Sequence, residues 1–359
     1  MEIWKKTEDL KIGDTIVESI ISYPNSEIIA SKGEKVSNTI LTKFKNLNIN
    51  WVKIEKINHC EEWEINQIFH EEKIKIIKRQ VNRIWDEVIV SQKINLRKIE
   101  ILSETFIKEI ENNYGDLLAP NLCRIIEFDE YTFSHQVNVA VIASLIAYEI
   151  SDENISFAKD IATGALIHDI GKIKVPKEIL NLKRKLTDEE HNVIKHHVDF
   201  GYELAQDSSV NEQCILDCIK YHHEKWDGTG YRSGYVKDEI PLSARILAVA
   251  DVYDALTTSR PYKNAWTPYQ AVSYIIQQSG RQFDPVVVEY FLRIFGMYPV
   301  GTELRLSNGQ KAVVIANNRH AISSPVVEVD GDYGIEIINL EKEKNIYIKE
   351  ILDTVNSVK

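Results

Sequence analysis

Histidines and aspartates in this 359-residue chain gather where helices are expected to end. Six of the ten histidines, with several aspartates, fall at such places in the middle of the chain. Residues 166–172 read LIHDIGK: an apolar helix over 158–167 delivers His168 and Asp169 at its end, and Gly171 breaks it. His196 and His197 lie late in a helix opened by a capping box, Thr187 with Glu190. His222 and His223 end the next helix, over 214–221, before a glycine-rich loop. Asp251 and Asp254 stand three apart on one face of an apolar helix, where charged groups are costly unless paired or metal-bound. His135 precedes another apolar helix over 137–147. An isolated His-Asp pair is more often a cap beside a surface histidine, and His135 alone would read as an ordinary core or surface residue. A whole series at helix ends is not explained that way. Imidazole nitrogens mixed with carboxylate oxygens suit iron, manganese, zinc or nickel, and one carboxylate can bridge two cations.

The elements that must position these groups are mostly helical. The expected class is mainly α, with a small α+β module at the N-terminus and a small β appendage at the C-terminus. Residues 1–58 alternate short Ile- and Val-rich runs (15–21, 27–30 and 51–54) with turn punctuation, around a helix over 37–47. Residues 59–118 are charged and helical in period, and from 61 to 114 they lack Gly and Pro, which predicts a pair of connecting helices. Their apolar stripe could join two copies of the chain or pack into the core. Residues 119–297 form the helical domain that carries the cluster, with further helix starts at Thr267-Pro268 and Asp284-Pro285. Residues 298–359 begin with two strands around Asn308-Gly309, a strong hairpin signal, and show no chemistry.

Composition excludes several classes. The net charge of -11 disfavours polymeric nucleic acid, which rewards a basic face, but leaves an anionic small ligand open because bound cations supply local positive charge. The four cysteines, Cys60, Cys123, Cys214 and Cys218, form no CxxC pair, so neither a disulfide framework nor a zinc ribbon is expected. No apolar run reaches the length of a membrane helix and no leader is visible, so the expected location is cytoplasmic.

With His135 upstream and Asp251 downstream, the His168-Asp169 pair resembles the HD superfamily of metal phosphohydrolases. The stretches HDIGKIKVP (168–176), HHEKWDGTGY (222–231), IPLSARI (240–246), ADVYDAL (250–256) and SRPYK (259–263) together resemble the HD-GYP subfamily, which hydrolyses cyclic di-GMP. The similarity runs from about residue 131 to 291. It implies metal ligands at His135, His168, Asp169, His197, His222, His223 and Asp251, with Asp169 bridging two ions. His197 is preferred to His196 because the family's histidine stands four before a glycine, here Gly201. The resemblance also implies an active-site lysine at Lys172 and a supporting carboxylate at Asp254. Tyr231, Arg260 and Lys263 match positions that touch the dinucleotide. The expected cofactors are two first-row divalent ions, iron or manganese, and the expected partners are a cyclic dinucleotide and signalling proteins.

Two positions depart from the family pattern. Arg232 replaces the proline of the GYP tripeptide, and could donate to a phosphate or stand solvated. Tyr131 stands where a third metal would want a glutamate, with Asp129 and Glu130 off register, so two ions are favoured. Paired cations lower the pKa of a bridging water enough to give hydroxide near neutral pH, which fits phosphodiester hydrolysis to pGpG or GMP. The alternatives are a cyclic di-GMP sensor without turnover and an HD phosphohydrolase for another nucleotide. Metal content and a substrate panel separate them.

Overall fold

The structure is a computed structural model that describes residues 2–7, 10, 14–21, 28–47, 49–55, 71–113, 134–182, 184, 186–258, 265–331 and 334–352. The chain divides into two compact units, residues 1–65 with 330–336 and residues 66–329 with 337–359.

In the first unit, strands β1 (Glu2–Lys6), β2 (Ile20–Ile21) and β3 (Ile28–Ala30) precede helix α1 (Asn38–Asn46) and strand β4 (Trp51–Glu55). β1 pairs antiparallel with β4, and β2 with β3. Ser37 caps α1 by accepting from the Ile40 amide, and Ile40 and Phe44 face a small core with Ile16, Ile29, Val52 and Ile54. The strand expected over 15–21 is broken, because Thr15 bridges Lys35 while Ile16 bridges Ile54, so no continuous ladder forms.

The second unit opens with two long helices, α2 (Glu71–Ser91) and α3 (Leu96–Asn113). α4 (Ser134–Ile150) and α5 (Ile155–Ile167) follow. Val137, Val139, Ala140, Ile142, Leu145 and Ile146 bury α4 on every side, so it is the central helix, as an apolar circumference requires. The apolar faces of α2 (Ile77, Val81, Ile84, Val88) and α3 (Ile99, Leu102, Phe106, Ile110) belong to the same core. The Trp85 indole donates to the Leu166 carbonyl at 3.3 Å, at the end of α5 that leads into His168.

After α5 come a 3-10 turn (Ile170–Lys174), α6 (Lys177–Leu180), α7 (Asp188–Lys195), α8 (His197–Asp207) and α9 (Gln213–Tyr221). The expected capping box is present at Thr187 and Glu190, but the helix it opens does not run through His197. It ends at Lys195 on His196, whose amide bonds back to Val193, and α8 restarts at His197. α10 (Leu242–Thr257), α11 (Pro268–Gln277) and α12 (Pro285–Phe295) complete the bundle, the last two capped by Thr267 and Asp284. α5 lies against α4, α3 and α9, and α10 against α4. β5 (Glu303–Leu306), β6 (Lys311–Asn318), β7 (Ala321–Gly331), β8 (Gly334–Asn339) and β9 (Ile348–Ile351) form a sheet ordered β8-β7-β6-β5-β9. The Asn308-Gly309 turn stands between β5 and β6, with Gly309 at φ 89°. Arg319, between β6 and β7, pairs with the buried Glu149 near the end of α4. No helix among the described residues is long and apolar enough to cross a membrane.

α5 and α9 approach through Gly164, where an added Cβ would lie 2.6 Å from the Cys218 Cβ. The buried Cys218 therefore serves as a small packing residue one turn before His222. Gly164→Ala should overpack this contact and cost about 1–3 kcal/mol, read as a lower urea midpoint with unchanged slope.

Candidate metal centre

Helix ends bring the predicted residues together. His168 caps α5, Asp169 starts the 3-10 turn, His197 opens α8, and His222 and His223 follow α9. His135 lies in the first turn of α4, and Asp251 and Asp254 lie on α10. The turn after Asp169 can sit against α8 only because residue 171 is glycine, since an added Cβ would fall 1.9 Å from the His197 carbonyl oxygen.

The imidazoles are oriented by backbone. The Nδ1–H of His168 donates to the Ala165 carbonyl at 2.7 Å, that of His197 to Ile194 at 2.8 Å, and that of His222 to Cys218 at 2.9 Å. Each bond commits one ring nitrogen to the carbonyl of a preceding helical turn and leaves Nε2 facing the site with a lone pair. His135 is oriented by a carboxylate instead. Its Nδ1–H donates to Asp254 at 2.7 Å, and Asp254 in turn accepts from Asn138 at 2.7 Å and Thr258 at 3.1 Å. Asp254 therefore lies behind His135 and is fully buried.

Two groups of donor atoms result, each within 4.8 Å: Asp169 with His197, His222 and His223, and His135 with His168 and Asp251. Asp169 stands between them. Its Oδ1 lies 3.2 Å from His197 Nε2 and 3.9 Å from His222 Nε2. Its Oδ2 lies 3.4 Å from His168 Nε2 and 3.9 Å from His135 Nε2. The Nε2 atoms of His197 and His222 are only 3.4 Å apart. Lone pairs so placed repel unless a cation lies among them. His168 Nε2 and Asp169 Oδ1 are buried and make no hydrogen bond. The site therefore fits divalent metal ions, which these nitrogen and oxygen donors would hold.

The electrostatics fit the same arrangement. Burial drives the His222 pKa well below the usual histidine value and that of His223 down to about 4, so both are neutral ligands at neutral pH. Burial also opposes ionisation of Asp169, but attraction from Lys172 first, and then from His168 and His197, outweighs it and holds the carboxyl well below its ordinary value. His135 goes the other way: burial lowers its pKa, yet its bonds and charge attraction to Asp251 and Asp254 win and raise it to about 10. Lys172 Nζ donates to Asp169 Oδ2 at 2.5 Å from the open side of the cluster, with 37% of its side chain exposed. The Tyr231 ring stacks on His223 with centroids 4.8 Å apart. Burial, followed by the Asp169 and Asp251 charges, keeps its hydroxyl protonated.

Of the adjacent histidines, His197 joins the cluster, while His196 is 45% exposed and faces Asp199. Arg232 also turns to Asp199, with Nε 2.8 Å from the carboxylate. Arg260, Lys263, Asp129, Glu130 and Tyr131 lie outside the described residues. Sequence reasoning missed Asn138 and Thr258. A lone asparagine in an apolar helix, one turn after His135, was the available signal for the first, and a threonine four after Asp254 for the second.

Comparison with known proteins places this geometry in a family. An HD domain model matches residues 121–287. A cyclic di-GMP phosphodiesterase of Thermotoga maritima is 31% identical over 284 residues, covering 78% of this chain and 71% of that protein. The chain belongs to the HD-GYP family. Another relative, a cyclic di-GMP phosphodiesterase of Pseudomonas aeruginosa, is 36% identical over 209 residues, 58% of this chain and 50% of its own length. This HD-GYP chain thus spans only about half of that relative. A solved HDG"Y"P protein of Bdellovibrio bacteriovorus superposes with a TM-score of 0.50 at 16% identity, covering 81% of this chain and 98% of that one, a likeness of fold alone.

The opposed histidine shifts set a pH dependence for chelator-stripped protein. His223 is neutral in the fold and its unfolded form protonates first, so stability falls as pH drops from 6.5 through about 4. Protonated His135 stabilises the fold below 6.5, and that contribution is lost as pH rises through about 10. The melting temperature of the stripped protein should peak near neutrality and fall on both sides. Reloading metal should move the optimum to higher pH, because cations displace the His135 proton. A differential scanning fluorimetry series across pH, with and without metal, checks both.

Proposed function

We propose that this chain is a phosphodiesterase that opens cyclic di-GMP to linear pGpG, and to GMP where a second cut follows, with two divalent ions that Asp169 and the two donor groups would hold. The observation that carries the reading is the division of the Asp169 carboxylate, one oxygen toward each donor group. The names of the Pseudomonas and Thermotoga relatives supply the substrate class. Iron or manganese is the proposed metal pair, as the family resemblance implies, and nitrogen and oxygen donors without thiolate are compatible with it.

Bound divalent ions would supply Lewis acidity at the phosphate and a water acidified toward neutral pH. The chain's own residues do the remaining work. The donor groups fix where a phosphate can sit, and the apolar bundle around His168 and His222 keeps bulk water from their inner side. Lys172 presents an ammonium at the open edge, where it can neutralise charge growing at phosphorus and protonate the leaving ribose oxygen. Tyr231 keeps a hydroxyl donor beside the cluster. Asp254 holds the His135 ring so that its Nε2 points inward. Arg260 and Lys263 are proposed to hold the substrate phosphates.

Anaerobically purified protein should contain about two iron or manganese ions per chain and convert cyclic di-GMP to pGpG, followed by chromatography. Metal-loaded protein that leaves the dinucleotide intact would overturn the reading. Asp169→Asn should lower turnover by at least about a thousandfold, because it removes the negative charge and one of the two oxygens that face the donor groups. Lys172→Ala should cost roughly a hundredfold in kcat with its metal content kept. Asp254→Asn should instead weaken metal retention about ten- to a hundredfold, as loss of an orienting carboxylate does.

A further inference from the structure

The loop carrying Tyr231 is tied down at several points. The Tyr231 amide donates to the His223 carbonyl at 3.3 Å, and the Ser233 amide donates to the buried Glu224 carboxylate at 2.6 Å. Between these two bonds, Arg232 reaches across to α8. Its Nε lies 2.8 Å from Asp199 Oδ2, and its Nη1 lies 3.5 Å from His196 Nε2. Asp199 also lies 3.3 Å from His196 Nδ1, so it gathers both side chains on the first turn of the helix that begins at His197.

The geometry points to Arg232 as a positioning residue. It fastens the Tyr231 loop to α8 through Asp199, and so holds the Tyr231 ring stacked on His223. Three features carry this. The arginine head is directed at a carboxylate of the protein, with a charge-assisted N–H contact of ordinary length. Asp199 stands two residues after His197, so the same short piece of backbone fixes a donor of the metal centre and the anchor of the loop. Tyr231, the residue just before Arg232, stacks on His223, which belongs to the same donor group as His197, and Lys195 stands over its ring at 5.3 Å. A proline at 232 would stiffen the loop by fixing φ. The arginine achieves a similar end with an ion pair, which salt and charge substitutions can weaken. This assignment rests on the proposed hydrolase reading only for its kinetic consequence.

The amides of Tyr231 and Ser233 are natural reporters. Hydrogen exchange measured on the metal-loaded full chain should quicken roughly two- to fivefold at both positions in Arg232→Gln, and equally in Asp199→Asn, the size expected of a half-exposed ion pair. The double variant should be no faster than either single one, Arg232→Lys should recover most of the protection, and Arg232→Pro should make Asp199→Asn silent. In cyclic di-GMP turnover, Arg232→Gln and Asp199→Asn should raise KM together. A direct phosphate contact by Arg232 predicts the reverse for Asp199→Asn, a lower KM from the released guanidinium, and unchanged exchange in both variants. Either of those results overturns the assignment. If the wild-type chain shows no turnover, the hydrolase reading fails, while the exchange measurements still decide the role of Arg232.

Discussion

Burying an ionised carboxylate among imidazoles is tolerable only when charge and hydrogen bonds are supplied around it, and much of this fold serves that requirement at Asp169. Three histidines give one ring nitrogen to a carbonyl of their own or the preceding helix, which turns the other nitrogen toward the aspartate. Those carbonyls are available because the helices end there. The positions of the helix ends are therefore part of the chemistry. Gly171 at the turn, Gly164 between α5 and α9, and the break at His196 between α7 and α8 all follow from keeping those ends in register.

His135 is held differently, and the difference shows in charge. Burial leaves the His222 and His223 imidazoles neutral, whereas the Asp251 and Asp254 carboxylates stabilise the imidazolium and raise the His135 pKa to about 10, burial notwithstanding. The two donor groups thus differ in proton affinity: His222 and His223 of one are neutral near pH 7, whereas His135 of the other holds a proton that a cation would displace. Asn138 and Thr258 hold Asp254 in turn, so the second group rests on a longer chain of polar contacts.

Much of this was legible in the sequence. Apolar runs interrupted by His-Asp or His-His mark both a helix and its end, and the capping signals at Thr187, Thr267 and Asp284 all appear in the structure. The helix class and the cluster could be read because each signal is local. Other features depended on partners distant in sequence. Nothing near Arg232 indicates that Asp199 will meet it, and the periodicity of α2 and α3 does not say which surface covers their apolar stripe. Tertiary packing decided both, placing those helices in the core around α4. The run over 15–21 could not be resolved into two alternating bridges from its residue types alone.

The order of the donors along the chain has a consequence for biosynthesis. One donor group, Asp169 with His197, His222 and His223, is drawn from a contiguous middle stretch, whereas the other waits for Asp251 on α10. The bond that steadies that second group, from His135 to Asp254, joins residues 119 positions apart. As the chain leaves the ribosome, the histidine-rich half of the centre has all its ligands before the carboxylate-supported half exists. Closing the latter needs a long loop of chain to return on itself, the slower kind of event in folding. The residues of the histidine-rich group are thus all synthesised before Asp251 is, and the second group is completed only once α10 packs against α4.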